Sequence, residues 1–145
     1  MNDLAGEMAA ELEPDLLAGV AFLVNELDRL REVIEKALPY THRSHEFNDL
    51  VAMVIKGEVR LWTTERSFML VERVVYPRRV HYHLFLAGGD LDELRALHPE
   101  VIEAARADGA HALTLTGRRG WVRALVDWGW EEVYTTVMLD IEEAG

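Results

Sequence analysis

Gly117-Arg118-Arg119-Gly120-Trp121-Val122-Arg123-Ala124-Leu125-Val126-Asp127-Trp128-Gly129-Trp130 decides how the rest of this chain is read. Three arginines and two tryptophans fall on what reads as one short helix, and Gly129-Trp130 forms its exit. The run before it, Ala112-Leu113-Thr114-Leu115-Thr116, reads as a strand, and so does the run after it, Glu132 to Ile141. The spacing therefore predicts a strand, a helix over 119–128, and a final strand over 132–141.

Outward from there, Asp90 and Glu93 have the spacing of a capping box. Leu91, Leu94, Leu97, Val101, Ile102 and Ala105 repeat at helical period behind it, and Gly109 supplies a left-handed stop. Three strands precede this helix: Val59–Thr63, Ser67–Tyr76 and Arg79–Ala87, with Pro77 at the turn between the last two. In the third, Val80, Tyr82, Leu84 and Leu86 alternate with Arg79, His81, His83 and Phe85, the pattern of a half-buried strand. Further upstream, Phe47, Leu50, Val51, Val54 and Ile55 form the stripe of a helix started by Ser44 or His45 and closed by Gly57. Leu16, Leu17, Val20, Leu23, Val24 and Leu27, then Leu30, Ile34 and Leu38, give one long helix or two broken near Asn25, stopped by Pro39. The order α-α-β-β-β-α-β-α-β implies an α+β fold, a mixed and mostly antiparallel sheet flanked by helices on both faces.

The chain has 145 residues, half of them hydrophobic, which suits one domain with one continuous core. A net charge of −11 argues against non-specific binding to nucleic acid or to anionic membranes. No cysteine is present, so disulfides and thiolate nucleophiles are excluded. Met1 to Glu13 lacks the basic region of a signal peptide, and the apolar run Leu16 to Val24 is too short to span a bilayer. These features predict a soluble, intracellular or packaged protein.

Leu61-Trp62, Glu65-Arg66-Ser67, Tyr76-Pro77-Arg78-Arg79, Leu86-Ala87-Gly88-Gly89-Asp90-Leu91 and Gly117-Arg118-Arg119-Gly120-Trp121 resemble a divergent group of GCN5-related N-acetyltransferase (GNAT)-like proteins of tailed phages and prophages. Some of that group are catalogued as acetyltransferases, and some relatives as internal virion proteins. The resemblance covers roughly residues 27–141. It divides the chain into an N-terminal extension with an amphipathic helix, 1–26, and a GNAT-like domain, 27–145.

The resemblance implies acetyl-CoA or CoA as cofactor, held by backbone N–H groups at a helix N-terminus. In this sequence that junction is Ala87, Gly88 and Gly89. The family's Arg/Gln-x-x-Gly-x-Gly/Ala spacing is missing there, and Asp90 is placed to cap the helix itself. The family's tyrosine acid falls at Leu125, which cannot donate a proton; Tyr134 is the nearest replacement, against a plainer role in the sheet or core. Glu72, His81 and His83 are candidate bases, with Glu72 and His83 preferred. His81 and His83 share one strand face, a spacing that also suits two metal ligands, but no third ligand is apparent and no metal is expected. Arg118, Arg119 and Arg123 either grip an anion, such as a CoA phosphate, or pair with some of the 26 acids. Trp121 and Trp128, seven residues apart, read as core anchors on one helix face.

Two functions follow. The first is a phage-encoded GNAT-fold protein with a degenerate acyl-CoA loop, virion-associated or assembly-related and non-catalytic. The alternative is an acetyl-CoA-dependent N-acetyltransferase acting on an unknown amine. The expected partners are other phage particle proteins or a second copy docked through the helix from Pro14 to about Leu27. The expected location is the host cytoplasm or the virion.

Overall fold

The computed structural model describes residues 14–142, so the first half of the expected N-terminal extension lies outside the described residues. Within that range the elements run in the order α1 (Pro14–Arg29), α2 (Arg31–Ala37), a 3-10 turn (Leu38–Thr41), α3 (Phe47–Ile55), β1 (Arg60–Thr63), β2 (Phe68–Val75), β3 (Val80–Gly88), α4 (Leu91–Ala107), β4 (Ala112–Leu115) and α5 (Arg119–Val126). The strands form one sheet in the order β1-β2-β3-β4. The first three are antiparallel and β4 runs parallel to β3, the outcome of the α4 crossover.

Two apolar clusters make the core. The first joins α1, α2 and α3 to the sheet, with Leu27, Ile34, Leu50, Val51, Phe68 and Leu70 all fully buried or nearly so. The second packs α4 on the sheet through Leu94, Leu97 and Val101 against Met69, Val71, Tyr82 and Leu84. A bulge in β3 feeds both. Leu70 pairs with Leu86 and Val71 with Leu84, which leaves Phe85 as the extra residue. Phe85 and Leu86, neighbours in sequence, therefore both pack with the first cluster, while Leu84 and Ala87 pack with the second.

The helical pair comes from a break at Leu30, five residues beyond the expected Asn25. Arg29 causes no loss of order there, because its guanidinium donates to the carbonyls of Thr64 and Glu65 and to Glu26, tying the break to the β1–β2 turn. Val20, Val24 and Leu27 of α1 lie in the first cluster, whereas Phe22 stands exposed. Pro39 sits inside the 3-10 turn, where its missing N–H costs nothing.

The expected last strand is absent among the described residues. From Glu131 to Asp140 the chain forms no helix, strand or turn, and no backbone hydrogen bond joins that stretch to another described residue. A strand exists only with a neighbour to pair with, and this segment has none. The helix expected over 119–128 ends at Val126, so Trp128 lies beyond it.

Candidate functional site

Two places carry the expected chemistry, and they do not coincide. The first is the start of α4, where the sequence puts a phosphate-binding loop. The Asp90 carboxylate accepts the backbone N–H groups of Asp92 and Glu93, at 2.9 and 3.2 Å. Glu93 does not complete the expected box. The backbone N–H of Asp90 donates to Ser67 Oγ instead (2.8 Å). Glu93 turns to the β1–β2 turn, where it accepts from Thr64 Oγ1 (2.6 Å), Ser67 Oγ (2.7 Å) and the Arg66 backbone N–H (3.1 Å). Arg66 closes the ring with ion pairs to Asp90 (3.1 Å) and Glu93 (3.4 Å). The hydroxyl bonds from Thr64 and Ser67 hold the Glu93 carboxyl down at about 2, so it is ionised at neutral pH.

The glycines of this turn have steric reasons to be glycine. Gly89 has φ +115, and a Cβ there would lie 2.5 Å from Ser67 Oγ and 2.6 Å from the Arg66 carbonyl oxygen. A Cβ on Gly88 would meet the Phe68 ring at 3.0 Å. Ala87 is half-buried against the second cluster. These residues do not fit a pyrophosphate. The first N–H groups of α4 are taken by a carboxylate, a second ionised carboxylate stands beside it, and Gly89 is pressed against the neighbouring turn.

The second place is a cleft of about 1360 Å³ between β3, β4, α5 and the segment after Trp130. Glu72, His83, Tyr134, Arg118 and Arg119 line it, so the structure brings these five together; Ala87, Gly88, Gly89 and Arg123 lie outside it. Glu72 and His83 are cross-strand partners on β2 and β3. His83 bonds Thr114 Oγ1 (2.8 Å) and Thr116 Oγ1 (3.2 Å). Burial lowers its pKa, with Glu72 pulling the other way, so the neutral ring is favoured. His81 stacks edge-on against Tyr76 at 5.0 Å, and its Nδ1 is buried without a partner among the described residues. No group of three metal-ligating side chains occurs among the described residues.

Tyr134 is in neither the sheet nor the core; it is 71% exposed on the extended segment. Leu125, at the family's tyrosine position, is buried. Arg118 donates to Tyr40 Oη (3.0 Å), with its guanidinium 4.7 Å from that ring's centre. Arg119 and Arg123 make no ion pair or hydrogen bond among the described residues. Trp121 is half-buried over Gly117, where a Cβ would stand 2.8 Å from its Cδ1. His98 on α4 went unnoticed in the sequence. It accepts the Trp130 indole N–H (2.8 Å) and lies 5.4 Å from the Trp128 ring, so it fixes the exit from α5. Burial, then the Arg95 charge, lowers its pKa, which keeps Nε2 free to accept.

No protein-family model and no curated protein matches the chain. Solved structures do. TTHA1254 from Thermus thermophilus superposes with a TM-score of 0.56 at 19% identity, over 81% of this chain and 91% of that one. A protein named "probable acetyltransferase" gives 0.55 at 15% identity over 80% and 94%. A "possible acetyltransferase from Clostridium difficile 630" gives 0.54 at 9% over 81% and 92%. The likeness is one of fold: the chain has a GNAT-like mixed sheet with flanking helices.

Proposed function

We propose that this chain, starting from a GNAT fold, works as a non-catalytic scaffold that acts through protein contacts. One observation carries the reading: the N-terminus of α4 is closed by the protein's own Asp90 and Glu93, with Arg66 as their counter-charge. An anion arriving there would meet two carboxylates where the fold's cofactor chemistry needs free N–H donors. The resemblance of its sequence blocks to tailed-phage and prophage proteins supports a place in a phage particle or its assembly, in the virion or the host cytoplasm.

A second reading is favoured by the cleft. Glu72 and His83, side by side on a half-buried wall with His83 held toward its neutral form, suit proton removal from an amine. That reading makes the chain an acetyl-CoA-dependent N-acetyltransferase with Glu72 or His83 as base. Isothermal titration of the protein with acetyl-CoA and with CoA separates the two. The scaffold reading expects no heat of binding at millimolar ligand. Saturable micromolar binding would overturn it and call for a screen of amine acceptors. Mass spectrometry of purified particles tests the virion role, and absence of the chain from them would remove it.

A further inference from the structure

The segment after Trp130 has the composition of a strand and none of its bonds. Val133, Val137, Leu139 and Ile141 fall on one side of an extended chain, and Tyr134 and Met138 on the other. Apolar residues on both sides mark a strand covered on both faces, inside a sheet rather than at its rim. Yet these six side chains are 65–89% exposed.

Opposite them lies the other half of the same deficit. Among the described residues β4 is an end strand of the sheet, with β3 on one side and no strand on the other. None of its four residues is fully buried. Trp121, Trp128 and Trp130 beside it are only partly covered. The segment does not supply the missing strand itself. Trp130 is pinned to His98 and to the Leu125 carbonyl, and Asp140 pairs with Arg43 in the loop before α3. Between those ties the chain borders the cleft, with the cleft separating it from β4.

We propose that residues 132–141 form a strand on the open β4 edge of a second copy of this chain, and that the exchange is mutual. The occupant is a second copy because one chain carries both complementary parts, a strand without an edge and an edge without a strand. A twofold axis satisfies both at once. The amounts agree. Pairing along the four residues of β4 takes about 13 Å of the ~33 Å that ten extended residues reach, and the six exposed side chains offer on the order of 800 Å², about what each partner gives to a stable interface. The main-chain bonds would be those of strand addition to a sheet edge. This inference stands apart from whether the chain binds CoA.

Light scattering on the eluting full-length protein, at micromolar concentration, tests it. The expected mass is twice that of one chain, and a single-chain mass would overturn the proposal. Val137→Asp combined with Leu139→Asp should return a folded single chain that keeps its helical circular dichroism and loses only the strand signal of residues 132–141, because both side chains are exposed within one copy. Phe22→Asp, on the outer side of α1, should leave the dimer intact. A dimer that survives the first variant, or one that the second dissolves, places the contact elsewhere and sinks the proposal. Hydrogen exchange gives a reading free of mutation. Amides of residues 132–141 should be protected in the wild type and exchange rapidly in Val137→Asp/Leu139→Asp. Fast exchange in a wild-type dimer would equally overturn it.

Discussion

Around the β1–β2 turn, a network of side chains and backbone groups ties the chain to itself. Glu26 serves Arg29 and Thr63, Arg29 serves the carbonyls of Thr64 and Glu65, and Glu93 serves Thr64, Ser67 and Arg66. The apolar side chains beneath are sealed, with Leu27, Leu50, Phe68 and Leu70 at 0% exposure. Around β4, Arg119 and Arg123 stand without an ion pair or hydrogen bond among the described residues, the tryptophans are half-covered, and ten residues of chain bond to almost nothing. The contrast separates two uses of one sheet. The β1–β2 turn is tied down by its own chain, and that closure occupies the position where the fold could have held an anion. The β4 edge keeps its unpaired groups available to another molecule.

The largest effect that would break this contrast lies in the sealed core. Leu50→Ala should cost about 2–5 kcal/mol in denaturant titration, and Leu115→Ala about half of that or less, because Leu115 has less to lose. Equal losses would mean that the surroundings of β4 are as sealed as the core around Leu50. Gly89→Ala comes next. With φ +115 and no room for a Cβ beside Ser67, it should lower stability by about 1–3 kcal/mol, read as a lower melting temperature. Tolerance of alanine would show that the turn can open.

Acid should act in two stages. His83 and His98 have lowered pKa values, so the unfolded chain binds more protons below about 6.5, their ordinary value, and stability declines as pH falls through that point. Glu93, Glu26 and Asp108 are also lowered, and their contribution is complete above about 4.5 and is lost as pH falls toward the folded value, about 2 for Glu93. Thermal melts across that range should show both declines, and Glu93→Gln should flatten the lower one. The smallest effect belongs to the open edge. Within one copy, Val137→Asp should change stability by less than about 0.5 kcal/mol, as for other exposed positions.

Periodicity and punctuation made β1 to β4, α3 and α4 legible in the sequence, because each is specified by residues within itself. Asp90 was legible as a cap for the same reason. Glu93 was not: its partners, Thr64 and Ser67, are more than twenty-five residues away, and they outbid the local backbone N–H. The break at Leu30 had the same origin, since Arg29 is held by a turn far along the chain. The run from 132 to 141 reads as a strand by composition and is not one within this chain, because composition says nothing of a neighbour, and pairing is what makes a strand. His83 and Glu72 could be picked as candidates from residue type; that they face one cleft with Tyr134, while the glycines do not, needed the fold.

The bulge in β3 bears on how this chain can change length. Phe85 is the one residue without a counterpart on β2, and it separates two stretches that serve opposite cores. Removing it would bring Leu84 and Leu86 into plain alternation, each still facing its own cluster. Removing Leu84 or Leu86 would also restore a plain register, but it would put Phe85 in the vacated place. Lineages descended from this sequence could thus shed one position in the middle of the sheet without rewriting the strand around it.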